Sequence, residues 1–156
     1  SAVYVPAWEG GHPDHDTVFA AALTARQYSF GTFTIYQFSL YSMAGVHPPF
    51  FRTMHPLPAH GEIVEERIPF WDRLSFIELC LYYPSQWKTW IGLFWTVAFR
   101  YLVGKQKLQI AKMPSLQRPH EGQLYYEYRN FCTWEDLYRA LKDEYQGTEE
   151  GLQYRP

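Results

Sequence analysis

Ser29-Phe30-Gly31-Thr32-Phe33-Thr34-Ile35-Tyr36-Gln37-Phe38-Ser39-Leu40-Tyr41-Ser42-Met43-Ala44-Gly45-Val46 runs for 18 residues without a charged side chain. Roughly 20 residues cross the hydrocarbon core of a bilayer as a helix. Ser, Thr and Gly, plentiful here, are what helix–helix contacts inside a bilayer use. Such a helix is shielded by neighbours rather than ringed by lipid. A soluble core helix, or strands built on the alternation at Phe30, Thr32, Thr34 and Tyr36, are the competing readings. With Asp16 or Thr17 as N-cap, the expectation is a helix within 17–46 and a possible membrane segment.

A second stretch points the same way. Ser85 is placed to cap a helix over Gln86–Val103 that stops at Gly104. At ~1.5 Å per residue it is ~27 Å long, near the ~30 Å of a hydrocarbon core. Trp87 and Trp90 lie towards one end and Tyr101 at the other, as in an aromatic belt. Lys88 and Arg100 stand where long side chains snorkel. The charge-free part, Thr89 to Phe99, is only eleven residues, a length that also suits a buried soluble helix or one lying in the interface. Before it, Pro69 at a first-turn position opens a helix with Phe70, Leu74, Ile77 and Leu81 at helical spacing.

Outward from these, residues 1–16 read as an extended arm punctuated by Pro6, Gly10, Gly11 and Pro13. Residues 47–68 read as a proline-rich connector laid over a partner. Residues 69–104 form a helix pair with the second helix membrane-associated, and 105–156 a water-soluble segment. In that segment Leu124–Arg129 suggests a short strand. Thr133-Trp134-Glu135-Asp136 matches a capping box before a final amphipathic helix marked by Trp134, Leu137, Tyr138, Leu141 and Tyr145. The tail 147–156 reads as extended. The fold class expected is mainly α: two to four helices with long extended Pro-rich arms, one or two of the helices in or on a membrane.

The chain of 156 residues allows one ordinary domain. A net charge of −2 supplies no basic excess for nucleic acid. Aromatic residues make up 19 %, the opposite of a disordered composition and suited to interfaces that are apolar at one end and wet at the other. Cys80 and Cys132 sit in apolar surroundings as two small hydrophobes, with a single disulfide between them left open. The start at Ser1-Ala2-Val3, without Met or presequence, fits an imported organellar protein whose targeting segment is gone, or a trimmed chain.

No nucleophile elbow, Walker loop or dinucleotide glycine pattern occurs. His12-Pro13-Asp14-His15-Asp16 is the best metal candidate. Pro13 stiffens its middle and no Cys joins in, so the residues read first as ordinary helix-start groups, and whether His12 and His15 bind a metal is left open. His47, His55 and His60 read as loop histidines. No catalytic residue, metal ligand or cofactor is assigned. Lys105, Lys107, Lys112 and Arg118 are the one basic cluster. With Arg100 they are placed to meet anionic headgroups, cardiolipin foremost, or else to complement a helix end. The lipid-binding set expected is Arg100, Lys105, Lys107, Trp95 and Tyr101.

The Pro-rich connector, the marginal aromatic helix ending Phe99-Arg100-Tyr101, its basic flank and the capped helix at Trp134 together resemble the supernumerary, protist-type subunits of mitochondrial oxidative-phosphorylation complexes. The likeness is one of layout. It implies a non-catalytic accessory subunit of a mitochondrial inner-membrane complex, either a respiratory-chain complex or the ATP synthase. Such a subunit serves assembly, interfaces and lipid retention beside other subunits and membrane lipids, with no nucleic acid. The alternative is a soluble interaction subunit of a large organellar particle such as the mitochondrial ribosome.

Overall fold

The structure is a computed structural model that describes residues 1–30, 32–83, 87–103, 105–112 and 117–152, the side chains of 88, 89 and 144–152 excepted. It corrects the mainly-α expectation. Helix accounts for 46 % and strand for 20 %, and a four-stranded mixed sheet makes the fold α/β. Among the described residues no helix is long and apolar enough to cross a membrane.

The 17–46 stretch is where the expectation breaks. A helix, α1 (Pro13–Tyr28), ends at Ser29, and Phe30 turns the chain with φ +53°. Strand β2 (Thr34–Phe38) follows. Half-buried Thr34, Tyr36 and Phe38 alternate with buried Ile35 and Gln37, the period of two that a pleat imposes. Charge is missing there because β2 is an interior strand. It is paired in parallel with β1 (Ala2–Pro6) and antiparallel with β6 (Gln106–Ala111). Strand β5 (Gly61–Glu66) closes the order β1-β2-β6-β5.

The long arms of the expectation are therefore largely strand, in the four-stranded sheet and in a separate two-stranded one. The arm 1–16 is β1, a tight loop and the first turn of α1, and the connector 47–68 holds β5 and β4 (Arg52–Thr53), which pairs with β3 (Tyr41–Ser42). Pro13 sits in the first turn of α1, where its missing N–H costs nothing. The cap is His12, one turn earlier than expected, with Nδ1 accepting from the Asp14 N–H at 3.2 Å.

The core lies on one face of the sheet. Val5, Ile35 and Ala111 look towards Phe19 and Leu23 of α1 and Leu137 and Leu141 of α5 (Trp134–Leu152). Leu124 and Tyr126, at the short helix α4 (Tyr125–Tyr128), complete it. The 124–129 stretch is thus a helical turn rather than a strand. Glu127 organises it, accepting from the N–H of Leu124 and of Trp134 and from Arg118 at 2.6 Å. Thr133 caps α5, its Oγ1 accepting from the Asp136 N–H. Helix α5 continues through Gly147 to Leu152, where an extended tail was expected.

On the opposite face, near Phe38 and Leu108, lies a hairpin of α2 (Phe70–Leu79) and α3 (Trp87–Val103). Arg73 ties it together by donating to the carbonyls of Ile68 and Leu102. The expected cap Ser85 and stop Gly104 lie outside the described residues. Among the described residues α2 buries no side chain and α3 buries only Leu93.

Candidate functional site

In a sheet with parallel strands, ligands tend to bind outside the carboxyl ends of the strands. Here β1 and β2 run in parallel, and beyond their carboxyl ends lie the loop 7–12 and residues 39–41. Two carboxyls shape this end. Asp16 accepts from the N–H groups of Glu9 (3.1 Å) and Gly10 (3.2 Å), fixing the loop to the first turn of α1. Glu9 accepts from the Ser39 hydroxyl (2.5 Å) and from the N–H groups of Leu40 (2.6 Å) and Tyr41 (3.0 Å), fixing the loop to the chain leaving β2. Gly10 makes the turn with φ +69°, and a Cβ there would come within 2.6 Å of Leu124 Cδ2.

Both carboxyls are nearly inaccessible to solvent. Removal from water penalises the charged form, and this outweighs the hydrogen bonds that favour it. Glu9 is pushed up to about 7 and Asp16 to about 8, the latter also by the nearby Glu9. Groups so perturbed gather at functional sites, though structural networks produce them too.

Two imidazoles stand on this frame. The His12 and His15 rings are 5.3 Å apart, and His15 meets the Tyr41 ring edge-on at 5.8 Å. Burial, then the neighbouring His12, lowers His15 to about 4, so its ring is neutral at physiological pH. Its Nδ1 is buried without a hydrogen-bond partner, an arrangement that costs about 1–3 kcal/mol when unrelieved. Asp14 points to solvent, 3.7 Å from His12. Among the described residues no three His, Cys, Asp or Glu side chains are placed to share a metal ion. The histidine pair offers two ligands at most, and Asp16, facing inward, is spent on the loop.

The expected lipid-binding residues are scattered along the hairpin and its exit. Trp95 is 75 % exposed, and Arg100 also faces solvent. Tyr101 turns inward, its ring 5.6 Å from that of Phe76. Lys105 and Lys107 converge on Glu65, at 2.8 and 3.6 Å, which offsets part of the charge expected for headgroups. Cys80 and Cys132 are free thiols. Sequence reasoning missed Glu9, Ser39 and Tyr41. It also missed the pattern on α3 in which Ile91, Trp95, Phe99 and Val103, four residues apart, are all more than 60 % exposed. Compared with family models, curated proteins and solved structures, the chain matches none.

Proposed function

We propose that the chain is an accessory subunit that docks through the α2–α3 hairpin onto another subunit of a larger membrane complex. The mitochondrial inner membrane, with a respiratory-chain complex or the ATP synthase, is the setting the sequence layout implies. The observation that carries the reading is the uncharged stripe Ile91, Trp95, Phe99 and Val103. Monomeric soluble proteins rarely leave contiguous apolar surface of this kind uncovered, and exposed Trp is a frequent interface anchor. Trp71 on α2 is likewise 75 % exposed. The test is a native gel of solubilised mitochondria carrying the tagged chain. Co-migration with an inner-membrane complex is expected, and the triple variant Ile91→Ser, Trp95→Ser, Phe99→Ser should run alone. A variant that still co-migrates refutes hairpin docking. A chain that floats with protein-free vesicles instead makes lipid the occupant.

A second reading is favoured by the loop 7–16. Two buried carboxyls hold a pair of histidines at the carboxyl ends of β1 and β2, and one imidazole nitrogen there has no partner. In this reading the chain carries part of a reaction site. His12 and His15 act as acid–base groups, or as two ligands of a metal whose remaining ligands come from water, substrate or another polypeptide. Zinc titration by calorimetry decides it. One equivalent bound by the native chain and lost in both His12→Ala and His15→Ala supports the metal form. Heat unchanged by either substitution removes it.

A further inference from the structure

The α2–α3 hairpin is an insertion between two paired strands. Strand β5 ends at Glu66 and β6 begins at Gln106, and these two residues face each other across the antiparallel ladder. Three residues lead from Glu66 into α2, and two lead from α3 back to Gln106. Both connections therefore leave the sheet at a single rung. The base is braced. Lys105 and Lys107 pair with Glu65, and Arg73 donates to the carbonyls of Ile68 and Leu102.

Beyond that base the attachment is thin. Among the described residues, no hydrogen bond, ion pair or ring contact runs from Phe70–Tyr82 or Trp90–Val103 to the strands or to α1, α4 and α5. What rests on the sheet is Leu93, buried, with Trp90, Val97 and Tyr101 half-buried at helical spacing from it. Two spaces interrupt even this contact. One, of about 320 Å³, lies between Trp90, Leu93 and Val97 and the chain at Ser39–Tyr41. The other, of about 480 Å³, lies between Phe76 and Tyr101 and the sheet residues Phe38 and Leu108. Protein interiors are close-packed, with few voids larger than a water molecule, so this junction is not built like a core. Segments with few buried apolar contacts open at a lower free energy than the whole molecule. Leu93 stands ten residues before Val103, ~15 Å along the helix, so a small rotation at the base lifts it clear.

We infer that α2–α3 is a hinged arm. It pivots as one body about the Glu66–Gln106 rung, and the departure of Leu93 from the sheet releases it. Opening uncovers a second apolar side of α3, carrying Trp90, Leu93, Val97 and Tyr101, besides the stripe that is already exposed. A helix that is apolar on all sides belongs in a buried setting, and the open arm lets a partner subunit cover both sides of α3. This use of the arm rests on the docking reading above, whereas the opening itself does not.

The test is a distance measurement between spin labels on the full chain, with Cys80→Ser and Cys132→Ser as background. One labelled pair, Thr17→Cys with Ser75→Cys, spans α1 and α2 from exposed positions. A second pair, Ser75→Cys with Thr96→Cys, lies within the hairpin. The first pair should show a longer component whose ratio to the shorter one rises at least about tenfold in Leu93→Ala, since truncating a buried Leu costs that much or more. The second pair should keep a single narrow distance in both chains. A first-pair distance unchanged by Leu93→Ala overturns the hinge. A second pair that broadens along with the first also overturns it, because the hairpin then unravels instead of swinging. Loss of the Trp8 indole N–H resonance in Leu93→Ala does so too, because the arm is then part of the core. Docking is scored apart from this. An arm that docks without opening co-migrates with a complex and shows one distance, and an arm that opens without docking shows two distances and runs alone.

Discussion

Trp8 and Trp95 are the same side chain with opposite fates. Trp8 is 2 % exposed, packed edge-on against Trp134 and donating its indole N–H to the Gln117 carbonyl. Trp95 is exposed on α3, its only ring contact among the described residues being its chain neighbour Phe94. Around Trp8 the molecule joins apolar surface to a set of satisfied polar groups. Gln37 accepts from the Trp8 N–H and donates to the His60 carbonyl, and its sheet partner Gln109 reaches the carbonyls of Leu57 and Gly61. Along the same side of α3 as Trp95 lie Ile91, Phe99 and Val103, all apolar and exposed. The difference teaches that an aromatic count gives the amount of apolar area and not its destination. Buried polar partners specify a unique internal arrangement, whereas a uniform apolar stripe waits for whatever covers it.

The contrast can be broken by mutation. Asp16→Ala leaves two buried N–H groups without acceptors, and a loss of about 3 kcal/mol in urea unfolding is expected. Asp16→Asn, which keeps one acceptor, should lose less. Equal losses would mean that the hydrogen bonds to Glu9 and Gly10 do not hold the loop. Gly10→Ala adds a Cβ at positive φ against Leu124 and should cost about 2 kcal/mol by the same measurement.

The pH dependence sharpens the comparison further. Glu9 and Asp16 have folded values, about 7 and about 8, above their ordinary ones. Their contribution to stability is fully present below about pH 4 and is lost as pH rises through 7 and 8. His15, lowered from 6.5 to about 4, works in the other direction. Its contribution is present above 6.5 and is lost as pH falls through 4. The two oppose each other between pH 4 and 6.5, and above 6.5 only the carboxyls act. Stability should therefore fall from pH 6.5 to 8.5, by at most about 1.4 kcal/mol per pH unit for each proton. Asp16→Asn should flatten the fall. A stability that rises across this range would contradict the burial of the carboxyls as acids.

The smallest effect belongs to the hairpin. Trp95→Ser should change the unfolding free energy by no more than about 0.5 kcal/mol, as surface substitutions do. A loss as large as that of Asp16→Ala would show that the stripe serves the fold of the chain itself.

What was legible in the sequence follows the range of the signal. Helices α2 and α3 and the start of α5 are written locally, in Pro69, in the spacing of Phe70, Leu74 and Ile77, and in Thr133 with Asp136. The sheet is not. Strand β6 reads as a polar flank after α3, because Gln106, Lys107 and Gln109 mask Leu108 and Ile110. Burying Gln109 makes sense only once the carbonyls of Leu57 and Gly61 are beside it. Strand β5 hides among three glutamates, Glu62, Glu65 and Glu66. The site was half visible. His12 and His15 stood out by type and spacing, whereas Glu9 is a lone carboxylate in an irregular stretch. Its partners lie about 30 residues on, at Ser39, Leu40 and Tyr41.

The strand order leaves β1 and β5 at the two margins of the sheet. Natural sheets guard such margins with charge, and β5 does so with its glutamates. Strand β1, Ala2-Val3-Tyr4-Val5-Pro6, has no charge, and Val3 and Tyr4 are open to solvent. An unguarded margin is a template for self-association, in which one molecule lends its strand to the next. The isolated chain should thus be prone to aggregate at high concentration along β1. Val3→Lys, a single gatekeeper charge on that margin, should raise its solubility limit.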